Sequence, residues 1–176
     1  IKWSPDGISI SFLKNDDDTE DEIKSKENKT DVILVDKNFK YSHIYTYNLV
    51  EDTITQITKG NFSVNSYDYS PNGNNIVFSH QDDTNINTGF VNSDISVIES
   101  DGSNLKRLIK RPGIDSSPIF SGDKNKFAFI SSGGKQESIG LRDVYIFNLK
   151  DNSIKKISNT PNRDSNIISC SSDNKT

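Results

Sequence analysis

The sequence predicts an all-β protein assembled from repeated four-stranded antiparallel units. Composition, an in-phase internal repeat and the chemistry of the turns carry that reading. The chain has 22 Ile, 8 Val, 9 Phe, 6 Tyr and 1 Trp, against 7 Leu, 1 Ala and no Met. β-branched and aromatic residues suit strands, and Ala, Leu and Met suit helices. A helical bundle is excluded, as is an α/β fold with a dozen helices. The hydrophobic share of 31% is low for a compact domain, so the apolar surface is thinly spread among many polar turns.

The repeat decides the architecture. Four segments align: Trp3-Ser4-Pro5-Asp6-Gly7 running on to Phe12, Tyr69-Ser70-Pro71-Asn72-Gly73 running on to Phe78, Phe120-Ser121-Gly122-Asp123-Lys124 running on to Phe129, and Cys170-Ser171-Ser172-Asp173-Asn174. Their starts are 66, 51 and 50 residues apart, and the long first interval contains an acidic insertion at 15–30.

Each of these turns predicts a hairpin. Proline presets φ at the first central position, Asp or Asn bonds the local backbone, and glycine takes a positive φ. The third copy has Gly122 and Lys124 where Pro and Gly stand elsewhere, which predicts a turn that differs in detail. After the turns, Ile8, Ile10 and Phe12 share one face of a strand, as do Ile76 and Phe78, and Phe127 and Phe129. Val77 and Ala128 fall on the opposite face, so these strands are expected to be buried on both sides.

A second hairpin follows in phase. Ile44 to Leu49, Ile95 to Glu99 and Val144 to Leu149 each precede a turn at Glu51-Asp52, Asp101-Gly102 or Asp151-Asn152 and then a further strand. Four short strands per unit of about fifty residues fit the blade of a β-propeller. The expected layout is one partial propeller of about three and a half blades: 1–58 with the insertion, 59–109, 110–158, and the start of another at 159–176. A blade buries its faces only against neighbouring blades. Together with an Ile at position 1, this suggests an arc of a larger ring.

Charge and cysteine narrow the classes. Residues 15–30 carry Asp16, Asp17, Asp18, Glu20, Asp21, Glu22 and Glu27 against Lys24, Lys26 and Lys29, which accounts for the whole net charge of −4. Such a stretch reads as a solvated loop. The rest of the chain is balanced, so no nucleic acid and no membrane partner is expected, and no apolar run is long enough to span a bilayer. Cys170 is the only cysteine, which excludes an intrachain disulfide and suits a small core residue. The compartment stays open, with the cytoplasm favoured. Three Asn-x-Ser/Thr matches, at Asn28, Asn61 and Asn174, are expected by chance in so Asn- and Ser-rich a chain.

No catalytic, cofactor-binding or metal-binding residue is assigned, and no cofactor is expected. Asp83 to Asp94 brushes against a calcium loop, but Gly89 is one place late and the last position is Asp rather than Glu. Ser131 to Lys135 lacks phosphate-loop spacing. Lys106, Arg107, Lys110 and Arg111 read as a solvated edge. His43 and His80, the only histidines, read as strand-end residues with no nucleophile and orienting acid in reach.

The repeated aromatic-Ser-Pro-Asp/Asn-Gly turn, with the Ile-Tyr-x-Tyr/Phe-x-Leu strand after it, resembles the repeat of TolB-like propellers. It is also similar to the amino-terminal propeller of serine peptidases of the prolyl oligopeptidase family. Tyr41 to Tyr47, Gln56 to Gly60 with Tyr67 to Gly73, and Pro112 to Ser121 carry it best. The inter-blade linker, the long insertion and the run Asp31-Val32-Ile33-Leu34-Val35-Asp36 lean toward the peptidases.

That resemblance implies a propeller over an α/β-hydrolase domain, restricting which peptides reach a Ser, Asp and His located there. This chain contains no Gly-x-Ser-x-Gly, so it would hold the non-catalytic, gating portion, with peptide substrate as the partner met through the hydrolase domain. It also lacks the Glu-Glu pair with which the dipeptidyl peptidases of that family hold a substrate amine. The alternative is a TolB-like propeller acting as a protein-protein interaction module without enzymatic activity. A third is a fragment with no independent activity.

Overall fold

The computed structural model describes residues 1–30, 40–83, 85, 88, 91–137, 140–158 and 163–171. The run 31–36, positions 84, 86, 87 and 89 of the loop weighed for calcium, and residues 172–176 of the fourth turn lie outside these. The described residues form β1 (Lys2–Trp3), β2 (Ser9–Asn15), α1 (Glu20–Glu27), β3 (Ser42–Asn48), β4 (Thr53–Gln56), β5 (Ser63–Tyr69), β6 (Asn75–Gln81), β7 (Asn92–Glu99), β8 (Lys106–Ile109), β9 (Gly113–Phe120), β10 (Lys126–Ser131), β11 (Asp143–Asn148) and β12 (Ile154–Lys156).

Strands pair with their sequence neighbours, antiparallel, in three sets of four: β1 to β4, β5 to β8, and β9 to β12. A short parallel contact, Asn92 opposite Gly113 and Ser93 opposite Ile114, joins the second set to the third. Among the described residues the fold is β-stranded apart from the short helix α1 and a helical position at residue 88, and it is a partial propeller of four-stranded blades.

Period-two alternation sends successive side chains of one strand into two different cores. On β6, Ile76 and Phe78 join Ile44 of the first blade and Phe62, Val64 and Tyr67 in one cluster. Val77, one residue away, joins Ile95 and Ile109 with Phe120, Phe127, Phe129 and Phe147 of the third blade in another. The cores therefore lie between blades, and each blade depends on its neighbour for burial. The fourth strands are outermost; β12 is exposed along its length, whereas β8 sends Ile109 into the second core. Ile10 and Phe12 share a face of β2, but among the described residues no second blade packs on that face, and both are half-buried rather than core. Cys170 is likewise half-buried, beside the outer face of the third blade, and is not a core residue.

The three Ser turns share one geometry. The N–H of Gly7, Gly73 and Lys124 donates to the carbonyl of Ser4, Ser70 and Ser121 at 2.9, 2.8 and 3.0 Å. Each serine hydroxyl also donates to Asp6, Asn72 or Asp123. The third turn therefore does not differ as its sequence suggests. Lys124 adopts φ +57° where the others have glycine, because the hairpin fixes the backbone whichever residue occupies it. An L side chain in that region costs about 1–2 kcal/mol. Lys124→Gly should raise stability by about 1 kcal/mol in urea unfolding, with an unchanged m-value.

The acidic insertion is not wholly a loop. It contains α1, started by a capping box in which Thr19 Oγ1 accepts from the Glu22 N–H and Glu22 accepts from the Thr19 N–H at 2.7 Å. Acids occupy its first turn and lysines its last, matching the helix dipole. Lys40 also bonds Glu22 and holds its carboxyl at about 2. No residue of the helix is buried, so it rides on the surface.

Candidate functional site

Antiparallel pairing places the two ends of each blade in different chemistry. One end carries only tight turns, at 4–8, 49–52, 70–74, 100–105, 121–125 and 149–153. The other carries the long connections 16–41, 82–91 and 132–142 together with the inter-blade links. Parallel pairing of β7 with β9 puts the long connections of the second and third blades on one rim. Packing of Pro5 by Gly73, and a hydrogen bond from the Ser42 N–H to Ser63 Oγ, align the first blade with the second. The long-loop rim is the candidate recognition face, since binding residues concentrate on loops held by a rigid scaffold.

On this rim the strand register gathers residues that are remote in the sequence. His80 and Asp94 sit opposite each other on β6 and β7. Arg107 of β8 reaches back to Asp82 with a bidentate pair at 2.6 and 2.7 Å, and its Nη1 lies 3.6 Å from Asp94. Arg111 makes a second bidentate pair with Asp115 at 2.9 and 2.8 Å, donates to Ser131 Oγ, and lies over the Tyr145 ring. Asp115 is 1% exposed. Arg107 and Arg111 are thus fixed in ion pairs, not spread along a solvated edge. Asp94, the last position of the loop weighed for calcium, and Arg107, Lys110 and Arg111 of the basic cluster meet on this rim. Among the described residues no group of three or more His, Cys, Asp or Glu is placed to hold a metal ion.

A cavity of about 450 Å³ opens between these groups, lined by Asp82, Asn92, Asp94 and Lys110 among others. Just beside it the chain turns into β9 at Gly113, with φ +98°. Any Cβ there would sit 2.5 Å from the Lys135 carbonyl oxygen, so only glycine fits this close approach.

His80 has contacts that imitate a catalytic relay. Its Nε2 lies 2.8 Å from Ser96 Oγ, and its Nδ1 is 3.2 Å from Asp82 without hydrogen-bond alignment. Ser96 is 1% exposed in the middle of β7, so no scissile carbonyl can approach it. Burial also pushes His80 down to about 4, with Arg107 adding to the lowering and Asp82 opposing it, which makes it a poor base at neutral pH. His43 is buried as well, within 3.2 Å of Thr58 Oγ1, and burial lowers it too. Both rings pack on Phe62, at centroid distances of 5.5 and 5.1 Å. They are core residues of the first blade interface.

A pH dependence follows. Between 6.5 and about 4 the unfolded chain carries a proton on this imidazole that the folded chain does not, so stability falls as pH drops through that window. The full effect is up to about 3 kcal/mol. Asp94, whose carboxyl is raised by burial, works in the opposite sense. Urea unfolding at pH 7 and pH 4.5 should show a smaller loss for His80→Gln than for the natural chain.

No family model and no curated protein matches this sequence. Solved structures do. A structure described as TolB from Agrobacterium tumefaciens matches with a TM-score of 0.61 at 20% identity, over 88% of this chain and 46% of that one. TolB from Acinetobacter baumannii matches at 0.62 and 19%, over 92% and 32%. Dipeptidyl peptidase 4 from Porphyromonas gingivalis matches at 0.51 and 13%, over 93% and 26%. The chain spans less than half the length of each. The fold is that of a TolB-like propeller, shared with the propeller domains of such peptidases.

Proposed function

We propose that this chain is the non-catalytic propeller portion of a serine peptidase of the prolyl oligopeptidase type. Its long-loop rim faces the catalytic domain and limits which peptides pass. The observation that carries this reading is the one-sided placement of every long connection. A gate needs adaptable loops on one face and a rigid scaffold behind them. The inter-blade linker and the insertion before Ser42-His43-Ile44-Tyr45 support the peptidase form, which rests on likeness of fold and motif.

A second reading, a rim that binds a protein partner with no enzyme attached, is supported by the likeness of fold to the two TolB structures. The natural reading frame separates the two. The peptidase form requires a Gly-x-Ser-x-Gly, then Asp, then His, within about 400 residues downstream of this segment. A stop codon soon after the last blade removes it in favour of the partner-binding form.

A further inference from the structure

We infer that the joint between the first and second blades is an acid-sensitive latch, which parts when His43 and His80 take up protons. Two observations of geometry carry this. The first is how the blades are joined. Among the described residues the second and third blades share a backbone pairing through β7 and β9, whereas β1 to β4 form a sheet of their own. Side chains hold the first blade to the second. The Ser42 N–H donates to Ser63 Oγ, the Ser11 and Tyr67 hydroxyls lie 3.0 Å apart, Lys2 pairs with Asp68 at 2.6 Å, and Ile44 enters the shared core.

The second observation is what fills that joint. Both histidines of the chain lie in it, each 2% exposed and each packed on Phe62. A charged imidazole is poorly tolerated in such a setting. Each ring has a carboxylate at its margin, and the two carboxylates belong to different blades. Asp16, just beyond β2 of the first blade, is 3.9 Å from His43 Nε2. Asp82, just beyond β6 of the second, is 3.2 Å from His80 Nδ1, an atom with no hydrogen-bond partner. Protonation therefore draws the two rings toward opposite blades and away from Phe62. Of the other titratable groups facing His43, Lys14, opposite it on β2, bonds Asp17, and the Tyr41 ring is 6.5 Å away. Arg107 disfavours a proton on His80, and Asp94, opposite on β7, has a carboxyl that burial raises. Both belong to the second blade and stay with His80 when the joint opens.

Burial holds His43 below the ordinary imidazole range and His80 at about 4, with Asp16 and Asp82 opposing. Opening returns water to both rings. Below pH 6.5 the open form binds protons that the closed form does not, so opening gains as pH falls toward 4. At pH 4.5 His80 alone multiplies the open fraction by on the order of a hundredfold.

This inference goes beyond the reading of the long-loop rim and does not depend on it. The natural protein, labelled at Ile and Val methyl groups, is placed with a neutral gadolinium chelate, and methyl line broadening is read at pH 7 and pH 4.5. β6 supplies the decisive pair, because Ile76 points into the first core and Val77 into the second. At pH 4.5 the broadening of Ile44, Val64 and Ile76 should rise at least about tenfold, and that of Val77, Ile95 and Ile109 by less than about twofold. The rise in the natural protein should follow about two protons per opening, and in His43→Gln or His80→Gln about one. Equal broadening of Ile76 and Val77, which is global unfolding, would overturn the latch. So would no rise at all, or a rise that both single variants keep in full. None of these results changes with a hydrolase domain or a stop codon downstream, so the latch can fail while the gate stands.

Discussion

Replacing Phe127 by alanine is expected to destabilise the protein by about 3–5 kcal/mol, the range for emptying a large aromatic site in a packed core. Phe127 is fully buried and central to the second interface. Its ring stacks on Phe147 at 5.1 Å and meets Phe129 at 5.8 Å and Phe120 at 6.2 Å, so its removal uncovers three further rings. Those neighbours stand on three paired strands and cannot collapse into the space. The expected result in urea unfolding is a large fall in the midpoint. Val50→Ala, at a turn where the side chain is 80% exposed, should change stability by less than about 0.5 kcal/mol.

Removing Arg111 should do comparable harm by a different route. Arg111→Ala leaves the Asp115 carboxylate buried and unpaired, a change that costs about 3–5 kcal/mol. The pair itself is worth far less than that loss, because burying both charges is already expensive. The double replacement Arg111→Met with Asp115→Leu should therefore recover most of the stability of the natural chain. Equilibrium unfolding of the two singles and the double gives the coupling directly. Additive losses would show that the pair is not the unit holding β9 against β10.

Much of the fold could be read in the residues themselves. The Ser-Pro-Asp/Asn-Gly turns, the alternation around Ile76, Val77 and Phe78, and the fifty-residue phase all express local rules, and local rules survive in a single sequence. The helix at Glu20–Glu27 was also encoded, in the capping-box spacing of Thr19 and Glu22, beneath an acidic composition that points to a loop. The geometry of the third turn was hidden for the opposite reason. Lys124 is a poor choice for its conformation, and only the surrounding hairpin holds it there.

The candidate site was legible only in pieces. Asp82, Asp94, Arg107, Arg111 and Asp115 are scattered over five successive segments, the β6–β7 connection, β7, β8, the link into β9 and β9 itself, and no spacing rule links them all. Their meeting depends on the register of β6 against β7, the return of β8, and the parallel contact of β7 with β9. Each is a long-range pairing fixed by burial on both faces of the blades, which composition and periodicity do not report. The histidines show the same limit. His43 and His80 stand at strand ends, yet both are sealed in one interface by Phe62 from the link between the first two blades.

The gating account is tested most directly by labelling the two rims of the full-length protein with a bulky maleimide. Cysteines are placed at Asp83 on the long-loop rim or at Asp101 on the tight-turn rim, both exposed, in a Cys170→Ser background. Peptide hydrolysis is then followed over substrates of increasing length. The label at position 83 should lower kcat/KM progressively as the peptide lengthens, and the label at position 101 should leave every substrate unchanged. A loss confined to the label at position 101, or a loss at position 83 independent of peptide length, would contradict the account.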